Sequence, residues 1–446
     1  MRLIALLILM FGSPAVADDT LLPWYADDYE AAIADARSAG KPMVIDLWAP
    51  WCHTCLSMKN TVLADPSLAS VAERFVWLAL DTDKEINFAA LEKFPPKVWP
   101  TFYVIGPDET VQAQLHGGAT AKVFRAFLDR GYAGAKEGTS EEEGLAAGSP
   151  EYQVRLAERA SLEARWADAE AAYERALAMA PAQWDVQARV RLERLSLLYK
   201  RSEWKTCLDV GSRDLDRAFV GHTPAAADFA YYLYACAKHL EDGPRRRAVL
   251  RHALRNLYRL FADSRAPLTI DDRSEALRIA RQINLGLGQE PLARALGESQ
   301  RLLLEQGVSQ AKSPKEAMIY SWPRAEVYVW LGRGDELLDS LKLLVEALPE
   351  EYDPSYRLAW VLHALKRSRE ALGPITLAES LAYGPRRSRV LSLGAEIRQA
   401  AGDLTAAQKA RDEVVELLTA LPESRRPKGA LDAAKKARAK HTKGAH

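Results

Sequence analysis

Hydrophobic and polar positions along this chain fall into two regimes. Over residues 20–132, strand-like and helix-like spacings alternate. Residues 27–39 place apolar side chains at helical spacing, and Gly40 supplies a C-terminal stop. Met43–Trp48 is apolar apart from Asp46, the pattern of a buried central strand. A helix is predicted after Trp51, and Asp65-Pro66 reads as the cap and first position of another. Residues 75–80 form a second buried strand pattern. Thr101–Ile105 and residues 111–115 flank Gly106-Pro107-Asp108, a hairpin signal, and residues 119–130 predict a closing helix. This order predicts a mixed α/β domain. From residue 151 to about 422 only helical spacing remains, in about seven helix pairs. Pro181, Pro224, Pro267, Pro314, Pro354 and Pro385 mark many of the starts.

The helical region repeats. Gly334-Asp335, Ser368-Arg369 and Gly402-Asp403 occupy one turn position at a spacing of 34 residues, and Arg165 and Arg201 mark turns 36 apart. Ala169, Ala172, Tyr173 and Ala176 with Pro181 resemble the second helix of a tetratricopeptide repeat, where small residues let helices approach closely. The resemblance is good in period and degenerate in detail over roughly 270 residues. It implies a curved solenoid with a concave surface for peptides or proteins. Between the two regimes, residues 133–150 hold four glycines, a proline and an acidic run, the composition of a linker.

At the start, Arg2 precedes nine apolar residues, 3–11, then Gly12-Ser13-Pro14 and the small-x-small site Ala15-Val16-Ala17. This is the pattern of a secretory signal cut after Ala17, too short to span a bilayer. The expectation is a periplasmic or secreted protein with no integral membrane segment after cleavage. Residues 423–446 are strongly basic and nearly free of apolar side chains, so a disordered tail is expected. Sixty basic and sixty acidic residues balance, so charge points to no nucleic-acid partner. The expected boundaries are a signal peptide over 1–17, an α/β domain over 20–132, a linker over 133–150, repeats over 151–422 and a tail over 423–446.

Only four cysteines occur, too few for a disulfide scaffold at 446 residues. Cys52 and Cys55 lie three apart where a helix is predicted to begin. A thiol facing a helix N-terminus meets free N–H groups and partial positive charge, which favour the thiolate. Cys52 is then the nucleophile, solvent-reachable and ionised, and Cys55 the resolving thiol. The stretch from Val44 through Asp46, Trp48, Pro50, Trp51, Cys52 and His53 to Cys55 closely resembles the active-site segment of the thioredoxin family. Val98-Trp99-Pro100-Thr101 resembles that family's cis-proline loop, and Gly117-Gly118 its terminal segment. The resemblance, over about residues 25–132, implies a thioredoxin fold, a redox disulfide Cys52–Cys55, proton transfer by Asp46 and a cis Pro100. It also implies a substrate-binding surface from Trp51, His53, Trp99, Pro100 and Thr101.

His53-Thr54 replaces the Gly-Pro of thioredoxin itself, and Leu56 the lysine usual after the second cysteine. The redox direction stays open, leaning to reductase or isomerase. No second His or Cys cluster completes a metal site, and Leu56 stands where haem attachment needs a histidine. No metal or cofactor is expected. Cys207 and Cys236 lie on consecutive helices, equidistant from a turn near Gly221, so either a structural disulfide or two ordinary buried cysteines fits. The sequence thus predicts an α/β thioredoxin fold followed by an all-α helical-repeat, tetratricopeptide-like solenoid. The expected function is thiol–disulfide exchange on protein substrates, with an unidentified redox partner and a protein or peptide held by the repeats. The alternatives are a non-catalytic interaction scaffold or chaperone, and a copper- or haem-assembly helper using the dithiol.

Overall fold

The computed structural model of the protein describes residues 21–136, 148–427 and 429–442. The expected signal peptide lies outside the described residues, as does most of the expected linker. The first domain is a five-stranded mixed sheet in the order β1-β3-β2-β4-β5. The strands are β1 (Trp24–Ala26), β2 (Met43–Trp48), β3 (Val76–Asp81), β4 (Thr101–Ile105) and β5 (Val111–His116). β1 and β2 run parallel to β3, while β4 runs antiparallel to β2 and β5. Helices α1 (Tyr29–Ala39), α2 (His53–Asn60), α3 (Ala69–Ala72), α4 (Phe88–Lys93) and α5 (Ala121–Lys136) cover the sheet.

The alternation of strand side chains divides the core. Met43, Ile45 and Leu47 face Ile33 and Ala36 of α1 and Leu91 of α4. Val44 faces the other way, with Met58 of α2, Val71 of α3 and Phe124 and Phe127 of α5. Asp46 shares the parity of Val44 and stands opposite Phe102, so its carboxyl falls on the α2 side. The sheet is therefore what sets the acid beneath the dithiol helix.

Helix α5 runs past the expected end at 132 and takes in Gly134, read from sequence as linker. A Cβ at Gly131 would lie 2.5 Å from Val104 Cβ, so glycine is what lets α5 lie on β4.

Among the described residues the second domain is all helix. It begins with α6 (Pro150–Leu162), α7 (Trp166–Met179), α8 (Gln187–Lys200), α9 (Trp204–Ala218) and α10 (Pro224–Ala237). It continues with α11 (Pro244–Ala262), α12 (Ile270–Gly286), α13 (Glu290–Gln310), α14 (Pro314–Leu331) and α15 (Leu338–Ala347). It ends with α16 (Tyr352–Ala364), α17 (Leu372–Leu381), α18 (Gly384–Ala401), α19 (Leu404–Ala420) and α20 (Ala430–Thr442). Neighbours in sequence pack as antiparallel neighbours in space, with further contacts between alternate helices, the arrangement of a solenoid. The 34-residue turns fall at the joints after α14, α16 and α18.

Cys207 of α9 and Cys236 of α10 are fully buried and joined as a disulfide, with Cα atoms 6.2 Å apart. The expected disordered tail is corrected. Ala430, Leu431 and Ala434 form an apolar stripe on α20 that packs against Leu391, Val414 and Leu418. Three apolar residues at helical spacing, two alanines and a leucine, suffice to dock an otherwise basic helix. Among the described residues, no helix is long and apolar enough to cross a membrane.

Candidate active site

Cys52 is the N-cap of α2, with extended φ and ψ of −83° and 100°. Its Sγ accepts the Cys55 N–H at 3.0 Å, as a capping oxygen would. Cys52 and Cys55 are joined as a disulfide, with Cα atoms 5.3 Å apart. In β2, Asp46 is 8% exposed, and its Oδ1 has no hydrogen-bond partner. Burial pushes this carboxyl up to about 7, against a smaller opposing pull from Lys59. Such a group can take a proton near neutral pH. The Trp99–Pro100 bond is cis.

The raised carboxyl has a consequence for stability. Its folded value of about 7 exceeds the ordinary 3.8. The contribution of the neutral form is complete below the lower value and is lost as pH rises through the higher one. Asp46→Asn, neutral throughout, is therefore expected to raise the melting temperature at about pH 8 and to give no advantage near pH 4. Equal shifts at both pH values would show that the carboxyl is not held neutral by the fold.

The expectation of a solvent-reachable Cys52 is corrected: both active-site cysteines are only 5% exposed. The cover is partly Trp51, which packs on the pair, and partly the solenoid, since α2 lies against α14 and α12. His53 Nδ1 is 2.8 Å from Asp271 Oδ1 of α12. Burial lowers the imidazole's proton affinity, but the Asp271 charge and hydrogen bond outweigh it and hold His53 above its ordinary value. The Trp51 carbonyl lies 3.5 Å from Arg357 Nη2 of α16, and the Arg386 guanidinium lies 4.6 Å from the Trp51 ring. Tyr383 donates to Asp81, and a Cβ at Gly384 would fall 1.8 Å from the Asp83 carbonyl oxygen. On the opposite side, Arg189 of α8 donates to the carbonyls of His116 and Gly118. Thus the solenoid grips the first domain on both sides of the dithiol.

Trp51 and Trp99 lie with ring centroids 5.2 Å apart. Their N–H groups donate to Asp83 at 2.7 Å and to Thr82 at 2.8 Å. Trp51 is half-buried against the solenoid core, while Trp99 remains 36% exposed. Thr101 departs from the substrate-binding role. It is fully buried, and its hydroxyl donates to Val98 at 2.7 Å to close the preceding loop. The residues missed from sequence are Asp271, Arg357, Tyr383, Arg386 and Arg189. No local motif marks them, because each acts through the docking of one domain on the other. Two clefts remain beside the dithiol, and Trp99 borders both. One, of about 260 Å³, runs between His53, Gly118 and α12; the other, of about 660 Å³, runs from Trp51 to α18 and α20. Among the described residues, no group of three or more His, Cys, Asp or Glu side chains is placed to hold a metal ion.

Fold and site together define a thioredoxin-like domain with a C-x-x-C pair, joined to a helical solenoid. Residues 23–104 match a family described as Thioredoxin-like. Over 104 residues the chain is 30% identical to the Thiol:disulfide interchange protein DsbD of Pseudoalteromonas atlantica, covering 22% of this chain and 18% of that protein. Over 94 residues it is 38% identical to Thiol:disulfide interchange protein DsbD 1 of Pseudomonas aeruginosa, covering 20% and 16%. A rice (Oryza sativa subsp. indica) H-type thioredoxin is 33% identical over 82 residues, covering 18% and 61%. The chain therefore spans less than a fifth of either DsbD relative. A tetratricopeptide repeat protein of Parabacteroides merdae overlays on 66% of this chain and 98% of its own, at 13% identity and a TM-score of 0.39.

Proposed function

We propose that the protein is an exported thiol–disulfide oxidoreductase that exchanges disulfides with protein clients through Cys52 and Cys55, in the reductase or isomerase direction. One observation carries the reading. Cys52 caps the start of α2 with its sulfur on the Cys55 N–H, and the unpartnered Asp46 carboxyl lies on the α2 side of the sheet. The likeness to thiol:disulfide interchange proteins supports it. In the reduced protein the Cys52 thiolate attacks a client disulfide and one client sulfur leaves as a thiolate. Cys55, its proton passed to Asp46, then attacks Cys52 Sγ. The internal disulfide forms and the second client thiol departs. Two electrons pass from the dithiol to the client. The solenoid forms one wall of the site and selects what reaches it. Export rests on the signal-like pattern of residues 1–17.

The test uses the full chain, reduced and then freed of reductant, mixed with a flexible, unfolded polypeptide that carries a disulfide. Loss of two thiols per chain, mapped by alkylation and mass spectrometry to positions 52 and 55, is the expected result. If both stay reduced while a thioredoxin control is oxidised, the non-catalytic scaffold reading takes over, which the 5% exposure of the pair favours.

A further inference from the structure

The two clefts beside the dithiol differ in how their charges are partnered. In the smaller one the ions largely pair with each other: Glu275 with Arg278, His116 with Glu193, and His53 with Asp271. In the larger one they do not. It is bordered by Arg386, Arg389, Arg425 and Arg426, with only Asp83 and Glu396 as carboxylates. Asp83 already accepts the Trp51 N–H. Arg426 donates to the carbonyls of Leu421 and Thr419, and Arg425 gives one donor to Thr82. Among the described residues, the Nε atoms of Arg386 and Arg425 are buried without a hydrogen-bond partner, the Asp83 carboxylate being the one acidic charge felt by both, while Arg389 lies exposed at the rim.

A partly desolvated guanidinium without an acceptor is unfavourable, and its planar fork suits a carboxylate. Val414, Leu418 and the alanines of α20 give the wall an apolar stretch, with Ser388, Ser392 and Ser424 elsewhere on the lining. A volume of about 660 Å³ is enough for a short peptide segment and too small for a folded domain. The inner end of the cleft is Trp51 and Trp99, beside Cys52. We infer that this cleft binds a short acidic peptide segment adjoining the client's disulfide, with carboxylates on Arg386, Arg389 and Arg425. The inference deepens the oxidoreductase reading and rests on it.

The probes are nine-residue peptides of one design, differing only in three residues flanking a single cysteine: all Glu, all Gln or all Lys. The cysteine is carried as a mixed disulfide with pyridine-2-thiol. Attack by Cys52 on the peptide sulfur releases pyridine-2-thione, whose absorbance is followed. Cys55 then displaces the peptide thiol and closes the internal disulfide. Reduced full-length protein is expected to react about tenfold faster with the Glu peptide than with the Lys peptide, with Gln between. The Glu/Lys ratio should fall close to one at high salt. It should also fall in the Arg386→Gln/Arg389→Gln variant. Because the ratio is taken within each protein, a general loss of reactivity cancels. Equal rates for the three peptides, or a ratio unchanged in the variant, overturns the assignment. A second arm measures binding of the same peptides, with serine for cysteine, to the oxidised protein by fluorescence anisotropy. If no peptide reacts, the oxidoreductase reading fails, and this arm still decides the cleft: Glu-selective binding lost in the variant sustains it, and unselective binding or none removes it.

Discussion

Cys52→Ser is expected to abolish disulfide exchange, lowering the single-turnover rate by roughly three orders of magnitude or more. A serine hydroxyl does not ionise at neutral pH, so the helix N-terminus has no anion to stabilise and the incoming disulfide meets no nucleophile. Cys55→Ala is expected to behave differently. It keeps the attacking sulfur and lacks the one that releases the client, so a one-to-one mixed disulfide should accumulate at Cys52, visible on a non-reducing gel and reversed by dithiothreitol. Both variants should fold. The bond they remove spans a sequence separation of only three and so closes almost no chain entropy. Exchange in Cys52→Ser at a rate near the unsubstituted protein's, or an adduct trapped at Cys55 in Cys52→Ser with none at Cys52 in Cys55→Ala, would reverse the assignment of nucleophile and resolving thiol.

The cover on the dithiol changes what such an experiment should use as client. With both cysteines only 5% exposed, a rigid protein surface cannot press against Cys52 while the solenoid is docked. An extended segment can enter through a cleft. A globular client needs its cystine on a flexible stretch, or needs the two domains to part first.

Much of the fold was legible in the sequence because it is written locally. An apolar run broken only by Asp46 located β2, and the Gly-Pro-Asp turn marked β4 and β5 on either side of it. Proline-marked starts and 34-residue turns exposed the solenoid. The dithiol was legible because its strand, acid, tryptophans and cysteines lie within a dozen consecutive residues. What stayed hidden is long-range. His53 meets Asp271 at a separation of 218 residues, Asp81 meets Tyr383 at 302, and Trp51 meets Arg357 at 306. No periodicity within either domain encodes which face of one will lie on the other. Helix α20 was missed for another reason: counting charges in residues 423–446 concealed the Ala430, Leu431 and Ala434 stripe that docks it.

Asp353→Ala is expected to destabilise the solenoid by about 3–5 kcal/mol. Asp353 and Arg357 stand one turn apart on α16, with side chains only 3% and 2% exposed. Their charges neutralise each other inside the interface, and Arg357 also reaches the Trp51 carbonyl at 3.5 Å and lies 5.8 Å from the Trp322 ring. Removing the carboxylate strands a guanidinium in apolar surroundings, where the lost hydration is no longer offset. The loss should be local at first, because a solenoid is held by contacts between neighbouring helices. Hydrogen exchange is therefore expected to accelerate in α14, α16 and α18 before it does in α6 to α10. The double variant Asp353→Leu/Arg357→Met separates charge from packing. With both ions gone no buried charge is left unpaired, and only the long contact to the Trp51 carbonyl is lost, so it should unfold in urea at a higher concentration than Asp353→Ala despite carrying one more substitution. A single variant within about 1 kcal/mol of the original would mean that water reaches Arg357 and that the pair is not buried in solution.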